Sequence, residues 1–409
     1  MVVTSIDFNR LGNIHISTAT FLEKIRPIPL IAGTWLCLFF LFLPFPLDIV
    51  PEIGTHITKL FLPFTKSLSA NSAETLSSTH SFSDSVHLYL QSALLGILAL
   101  IIALVLVRLK KAHLALPWIR AVITFTLAFF LLKYGIEKWT RLQFPVPPPN
   151  ILHAEIGSLD KDILFWSLMG SSKAYAGFMG FIEILAGTFL FFKKTRFIGG
   201  YLALGVFANV LALNIGFDIT VKLLSFGLLL GSMFIIAPSA KPLFQLLSSS
   251  SILAIESDSV EIKPMLYRAL KGFAVTLILI ECFWPVINRT EHAFNPKAIN
   301  HQSFTIVQTE KCPDGIPNQE YKRLHFHPLG FLVMETFDGQ FQSYPIRIPQ
   351  GSNQFKFSNG THIRAIRQDK EWLFVEGNQL LWRCKRVSNE DLPLLQDKFH
   401  WTVESMIPE

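Results

Sequence analysis

The chain has 409 residues, half of them hydrophobic and only 16% charged, with 37 phenylalanines and a mean hydropathy of +0.40. So little charge excludes a single water-soluble globule, in which about a quarter of the residues are charged, and makes lipid the solvent for much of the chain. The net charge of +6 does not indicate nucleic acid, because many basic residues flank apolar runs instead of clustering in a soluble domain.

Residues 1–26 are polar and mixed, and the apolar run after them is long with no small-residue cleavage site behind it. It reads as a retained span and not as a signal peptide. About 20 mostly apolar residues are needed to cross the hydrocarbon. Seven runs qualify: 27–47, with Pro44 and Pro46 near its exit; 88–107; 117–137; 174–192; 197–217; 219–237, with Pro238 as a stop; and 270–287. The stretch 66–86 is Ser-rich and predicts a flexible linker. The segment 144–173 opens with FPVPPPN, which excludes a helix there, and continues with DILFWSLMG, an amphipathic segment suited to the membrane surface. Trp118, Trp139 and Trp284 fall near span ends, and Trp166 lies in the 144–173 segment, as an interfacial aromatic belt requires.

Basic residues set the orientation. Arg10, Lys24 and Arg26 precede the first span; Arg108, Lys110, Lys111 and Arg120 lie between the second and third; Lys193, Lys194 and Arg196 between the fourth and fifth; Lys241, Lys263, Arg268 and Lys271 around the sixth-to-seventh connection. The alternate connections carry fewer, with Lys59 and Lys66 in one and Lys138, Arg141, Lys161 and Lys173 in the other. The N-terminus is therefore expected in the cytoplasm and the C-terminal region outside, provided that the seventh run crosses.

From residue 300 the pattern changes to short alternating runs: SFTIVQ, YKRLHFH, FLVMETF, FQSYPIRI, QFKFS, THIRAIR, EWLFVEG and LLWRCKRV. Asp338-Gly339 and Asn359-Gly360 between runs are hairpin signals. These runs predict a small all-β domain, an antiparallel meander closed as a barrel or stacked as a sandwich, followed by a short helix or plug in DLPLLQDKFHW. Cys312 and Cys384 are a candidate disulfide outside the cytoplasm, or two separate thiols. His325 and His327 share one strand face but have no evident third ligand, so solvated surface histidines are expected and no metal site is assigned. No haem, flavin or metal motif occurs, and no CxxC pair.

Ionisable groups within spans cost on the order of 2.5–3.5 kcal/mol at a helix centre, so they are the candidate functional residues. Glu183 and Asn209 fall near mid-depth in the fourth and fifth spans and are expected to face each other across neighbouring helices. A second group gathers toward the exterior: Lys133, Tyr134 and Glu137 in KYGIEKW, then Asn214, Asp218 and Lys222 at i, i+4, i+8, and Glu281 in the last span. They are read either as one ligand, ion or quinone site or as polar pairs that fix helix register. Gly177, Gly180 and Gly187 are expected to permit close helix packing.

Residues 119–238, with KYGIEKW, then GFIEILAGTFLFFKKTRFIGGYLALGVFANVLALN, then DITVKLLSFGLLLG, resemble the DoxX-like family of four-helix membrane proteins. The E-x-x-x-G of Glu183 and Gly187, the basic turn before Phe197 and the Asn of the following helix carry the likeness. It extends to the family's long members through KFHW at Lys398–Trp401. The resemblance implies a membrane helical bundle with a four-helix core over 116–240, preceded by two spans in 1–115, followed by a linker and last span in 241–299 and a β-domain over 300–409. It further implies a bacterial inner-membrane location, an accessory or binding role in a quinone-linked redox complex, and a partner protein or ligand for the exterior domain. The rival readings are an oxidoreductase passing electrons from an exterior donor to quinone, and a proton-coupled transporter.

Overall fold

The computed structural model describes residues 27–68, 83–249, 264–288, 299–349, 352–388 and 392–396. The N-terminal tail with Arg10, Lys24 and Arg26, most of the Ser-rich stretch, Lys263, and the KFHW segment lie outside them. The chain forms two compact units, 1–137 with 179–287 and 138–178 with 288–409.

The first unit is helical. Its elements are α1 (Pro27–Leu41), α2 (Ile53–Leu68), α3 (Val86–Arg108), most of α4 (Ala112–Trp139) and α7 (Lys173–Leu190), α8 (Arg196–Gly216), α9 (Lys222–Ser249) and α10 (Pro264–Ile287). Among the described residues six helices, α3, α4 and α7–α10, are long and apolar enough to cross a membrane. The expected fold class, a membrane helical bundle with a separate β-domain, is what the chain adopts.

Three boundaries differ from expectation. The first predicted span, 27–47, is helical only to Leu41; Pro44 and Pro46 lack the N–H that would continue the ladder, and residues 43–47 run without regular structure. The stretch after it, expected as loop, contains α2, whose apolar and polar residues recur at helical spacing around Pro63. Pro238 lies near the end of the membrane span, which runs to Ala240, but does not stop the helix: α9 continues through it to Ser249, since a proline costs one ladder bond and the following turns re-form.

Helix ends are tied by side chains. Ser85 caps α3, accepting from the Leu88 N–H at 3.2 Å. Asp84, one residue earlier, caps α9 by accepting from the N–H groups of Lys222 (2.8 Å) and Leu223 (2.9 Å), and its own N–H donates to Thr220. The starts of α3 and α9 are thereby stapled together. Small residues admit close helix contact: a Cβ on Gly135 of α4 would come 2.8 Å from the Gly180 carbonyl of α7, and one on Gly187 would come 3.0 Å from Leu132. Gly177, expected to do the same, faces open space.

The second unit contains a closed antiparallel barrel, β1 (Ser303–Thr309), β2 (Tyr321–His327), β3 (Phe331–Thr336), β4 (Phe341–Arg347), β5 (Gln354–Phe357), β6 (His362–Gln368), β7 (Glu371–Glu376) and β8 (Gln379–Val387), with β8 pairing back onto β1. The alternation of each run points one face inward, where Phe304, Phe326, Phe355, Phe374 and Trp382 meet mostly edge to face. Gly339 and Gly360 take the left-handed backbone that the predicted hairpin turns need. The same unit includes two short helices, α5 (Pro149–Leu152) and α6 (Lys161–Ser171); α5 starts inside the FPVPPPN run expected to exclude a helix, because a proline is tolerated in a helix's first turn. α5 packs on β2, and Phe144, Phe165 and Trp166 form an aromatic cluster around α6.

Candidate functional site

The break after α1 brings a carboxylate back to the bundle. Asp48, seven residues past the end of the helix, forms an ion pair with Lys133 of α4. The same ammonium lies 3.1 Å from Glu137, one turn on, and 3.7 Å from Glu281 of α10. Glu281 also accepts from the backbone N–H groups of Asp48 (2.5 Å) and Ile49 (3.1 Å), fastening the broken segment. Lys133 and Glu281 are almost fully buried, whereas the Asp48 side chain is 37% exposed and forms the open edge. A cavity of about 280 Å³ lies against this cluster, lined by Phe45, Pro46, Leu47, Asp48, Pro51, Lys133, Tyr134 and Glu137. Tyr134 lies within electrostatic range of both Glu137 and Glu183, and Cys282 is fully buried beside the cluster.

The outer polar group expected as one site thus forms two. Lys133, Tyr134, Glu137 and Glu281 come together with Asp48. Asn214, Asp218 and Lys222 form a separate joint at the α8–α9 turn. There Asn214 donates to Ser225 (3.1 Å), Lys222 pairs with Asp218 (2.8 Å), and Lys222 reaches Asp84 at 3.9 Å. The i, i+4, i+8 spacing does not hold one face because Asp218 adopts a left-handed backbone (φ 54°) that ends α8. The expected Glu183–Asn209 pair does not form: Glu183 is buried in the packing of α7, and Asn209 points outward from α8.

The barrel carries a second buried polar cluster, where solvated histidines were expected. β2 places Leu324 and Phe326 inward and Arg323, His325 and His327 outward. His325 is nevertheless fully buried, because β2 is covered by α5 and the His153 ring lies tilted 5.4 Å from it. Its Nε2 lies 3.2 Å from Glu335 and its Nδ1 2.9 Å from the Ser303 hydroxyl. An ionised Glu335 only accepts, so Nε2 carries the hydrogen and Ser303 donates to Nδ1. Arg323 (2.9 Å) and Lys322 (3.0 Å) also hold Glu335. Burial alone would raise the Glu335 carboxyl, but the bonds from His325, Lys322 and Arg323 outweigh it and bring it down to about 2. Burial lowers His325 below the ordinary imidazole value against the pull of Glu335, and lowers the half-buried His327 as well.

Cys312 and Cys384 are both buried free thiols, so the candidate disulfide is not formed. Burial raises both. Among the described residues no three His, Cys, Asp or Glu side chains are placed so that they could hold a metal ion. Asp48 and Asp84 were missed as site residues because each lies in a stretch that reads as connecting loop; the signal was a lone acid directly after PFPL in one case and a Ser-Asp-Ser cap pattern in the other. Glu335 was missed because an acid at an outward strand position reads as solvated.

No family model matches the chain, and no solved structure does. A stretch of 118 residues, 29% of this chain, is 33% identical to the uncharacterized protein YwoB of Bacillus subtilis (strain 168) and covers 73% of that protein. A match of that identity over that share of the relative shows that the chain belongs to the family of YwoB.

Proposed function

We propose that this chain is an accessory, ligand-binding membrane subunit of the DoxX-like type, and that the cleft at Lys133 is its binding site for a small molecule, with a quinone head group as the leading candidate. The observation that carries this reading is the buried ammonium of Lys133 held by Asp48, Glu137 and Glu281 against a cavity of about 280 Å³ with an exposed acidic edge. A cluster that only fixed helix register would have no need of a lined cavity. A quinone suits the donor set. Lys133 and Tyr134 offer N–H and O–H groups to carbonyl oxygens, and Asp48 and Glu137 accept from the hydroxyls of the reduced form.

The shared unit of 138–178 with the barrel supports the expected orientation. Four helices, α7 to α10, separate the two stretches in sequence, and four crossings return the chain to the side it left. That favours a crossing last helix, with the barrel outside a bacterial inner membrane and available to a partner protein there. A second reading, a proton path, is favoured by Tyr134 lying within electrostatic range of both Glu183 and Glu137.

The test is binding of a one-isoprene ubiquinone to the full chain in lipid nanodiscs. Lys133→Gln is expected to weaken it at least tenfold, about 1.4 kcal/mol, without loss of helix content; equal affinity refutes the cleft. Unchanged proton flux through Glu183→Gln in liposomes refutes the proton path.

A further inference from the structure

Beside the polar cleft runs a second cavity of about 520 Å³, lined by residues of α1, α2, α4 and α10 and of the break after α1. It is apolar almost throughout, with Phe40, Phe125, Phe129, Phe130 and Ile278 among its walls. Its one charged residue, Lys271, turns its ammonium to the Phe191 carbonyl and to the face of Phe192 (5.4 Å). The two cavities share Phe45 and Leu47, so the apolar groove and the Lys133 cleft adjoin at the break after α1.

We infer that the two cavities are one site for a membrane amphiphile, with the polar head in the Lys133 cleft and a single hydrocarbon chain along the groove. This rests on the reading of the cleft as a binding site and names the class of its ligand. An apolar groove in a bilayer-embedded bundle is filled by chains, and a charged cleft adjoining it selects a chain that ends in a hydrogen-bonding head. A partner's transmembrane helix fits less well. A helix is 10–12 Å across, so the groove's volume holds about one turn of it. The ligand enters from the bilayer, and Phe45 and Leu47, positioned by the prolines that end α1, stand at the junction of head and chain.

The experiment compares two ubiquinones with the same head, carrying one and four isoprene units, bound to the full chain in nanodiscs, with concentration expressed as mole fraction in the lipid so that bulk partitioning cancels. Wild type is expected to bind the long probe at least tenfold tighter than the short one. Ala121→Phe and, independently, Ala274→Phe fill the groove from α4 and α10 and are expected to abolish that gain while short-probe affinity stays; Lys133→Gln weakens both probes. A chain-length gain that persists in both groove variants overturns the inference and leaves the cleft standing. A long probe that binds Lys133→Gln as tightly as wild type overturns it too, because head and chain are then not in one site. No saturable binding of either probe overturns the cleft and the inference together. A photo-crosslinker at Val122 that captures a second polypeptide in the groove also overturns it.

Discussion

Glu335→Gln tests how the barrel is held together. Glu335 is 3% exposed and takes bonds from His325, Lys322 and Arg323. Its carboxyl falls from the ordinary 4.5 to about 2. At about 1.36 kcal/mol per pH unit this corresponds to about 3 kcal/mol of native-state preference for the charged form. Lys322 is 39% and Arg323 24% exposed, and solvent screening of these partners leaves about 2 kcal/mol. The sign follows from linkage. Stability rises with pH wherever the unfolded chain binds more protons than the folded one. Between about pH 4.5 and pH 2 the unfolded Glu335 is protonated first, so its contribution is complete above 4.5 and is lost as pH falls through that window. His325, lowered from 6.5, destabilises in the same direction but begins below pH 6.5, and in the variant, without the upward pull of Glu335, it does so at least as strongly. Hydrogen exchange of peptides spanning β2 and β3 in the full chain, read by mass spectrometry across a urea series and corrected for intrinsic rate, measures the local opening free energy. The expected result is a loss of about 2 kcal/mol at pH 7 in Glu335→Gln, and a fall in wild type between pH 4.5 and 3 beyond the His325 loss that both proteins show. Equal acid sensitivity of the two proteins would refute the assignment of the charge network to Glu335.

Asp84→Ala removes two N-terminal acceptors from α9 and is expected to cost about 1 kcal/mol, seen as a lower melting temperature in detergent; an unchanged value refutes the cap. Gly135→Ala drives a Cβ to 2.8 Å from the Gly180 carbonyl and is expected to cost about 1–3 kcal/mol, whereas Gly177→Ala, which meets open space, is expected to stabilise the helix slightly. On a cysteine-free background, a single cysteine at the exposed Ser343 is expected to react with an impermeant thiol reagent in intact spheroplasts, and protection there refutes the exterior barrel.

The β-domain was legible almost strand by strand because period-two alternation and two Xaa-Gly turns are local signals, and closure needed only that β8 meet β1. The long spans were legible because length and apolarity suffice for them. What failed depended on packing. His325 reads as a surface histidine until α5, some 170 residues earlier, is laid over β2. Asn214, Asp218 and Lys222 read as one face only while the helix is assumed continuous, and a left-handed Asp218 ends it. Asp48 could not be assigned to Lys133 because nothing local to PFPLDIVP tells where the broken segment goes.

That break also explains why the carboxylates are there. Residues 42–47 leave the helix within the first predicted span and 48–49 follow directly after it, and irregular backbone at membrane depth persists only where protein or a water-lined cavity satisfies its polar groups. Glu281 supplies that satisfaction, accepting from the N–H groups of Asp48 and Ile49. Once Glu281 is committed to the backbone, Lys133 is needed beside it, because a buried carboxylate without a cation costs several kcal/mol. Asp48, brought in by the same segment, and Glu137, one turn along α4, then share the ammonium. Glu281 is accordingly the structural acid of the cluster and the more exposed Asp48 the exchangeable one. Asp48→Asn should alter ligand affinity with little loss of fold, while Glu281→Gln should loosen the 42–49 segment itself, measurable as faster hydrogen exchange there. If Asp48→Asn unfolds the bundle and Glu281→Gln does not, the roles are reversed and the cleft is a consequence of the break and not a site built upon it.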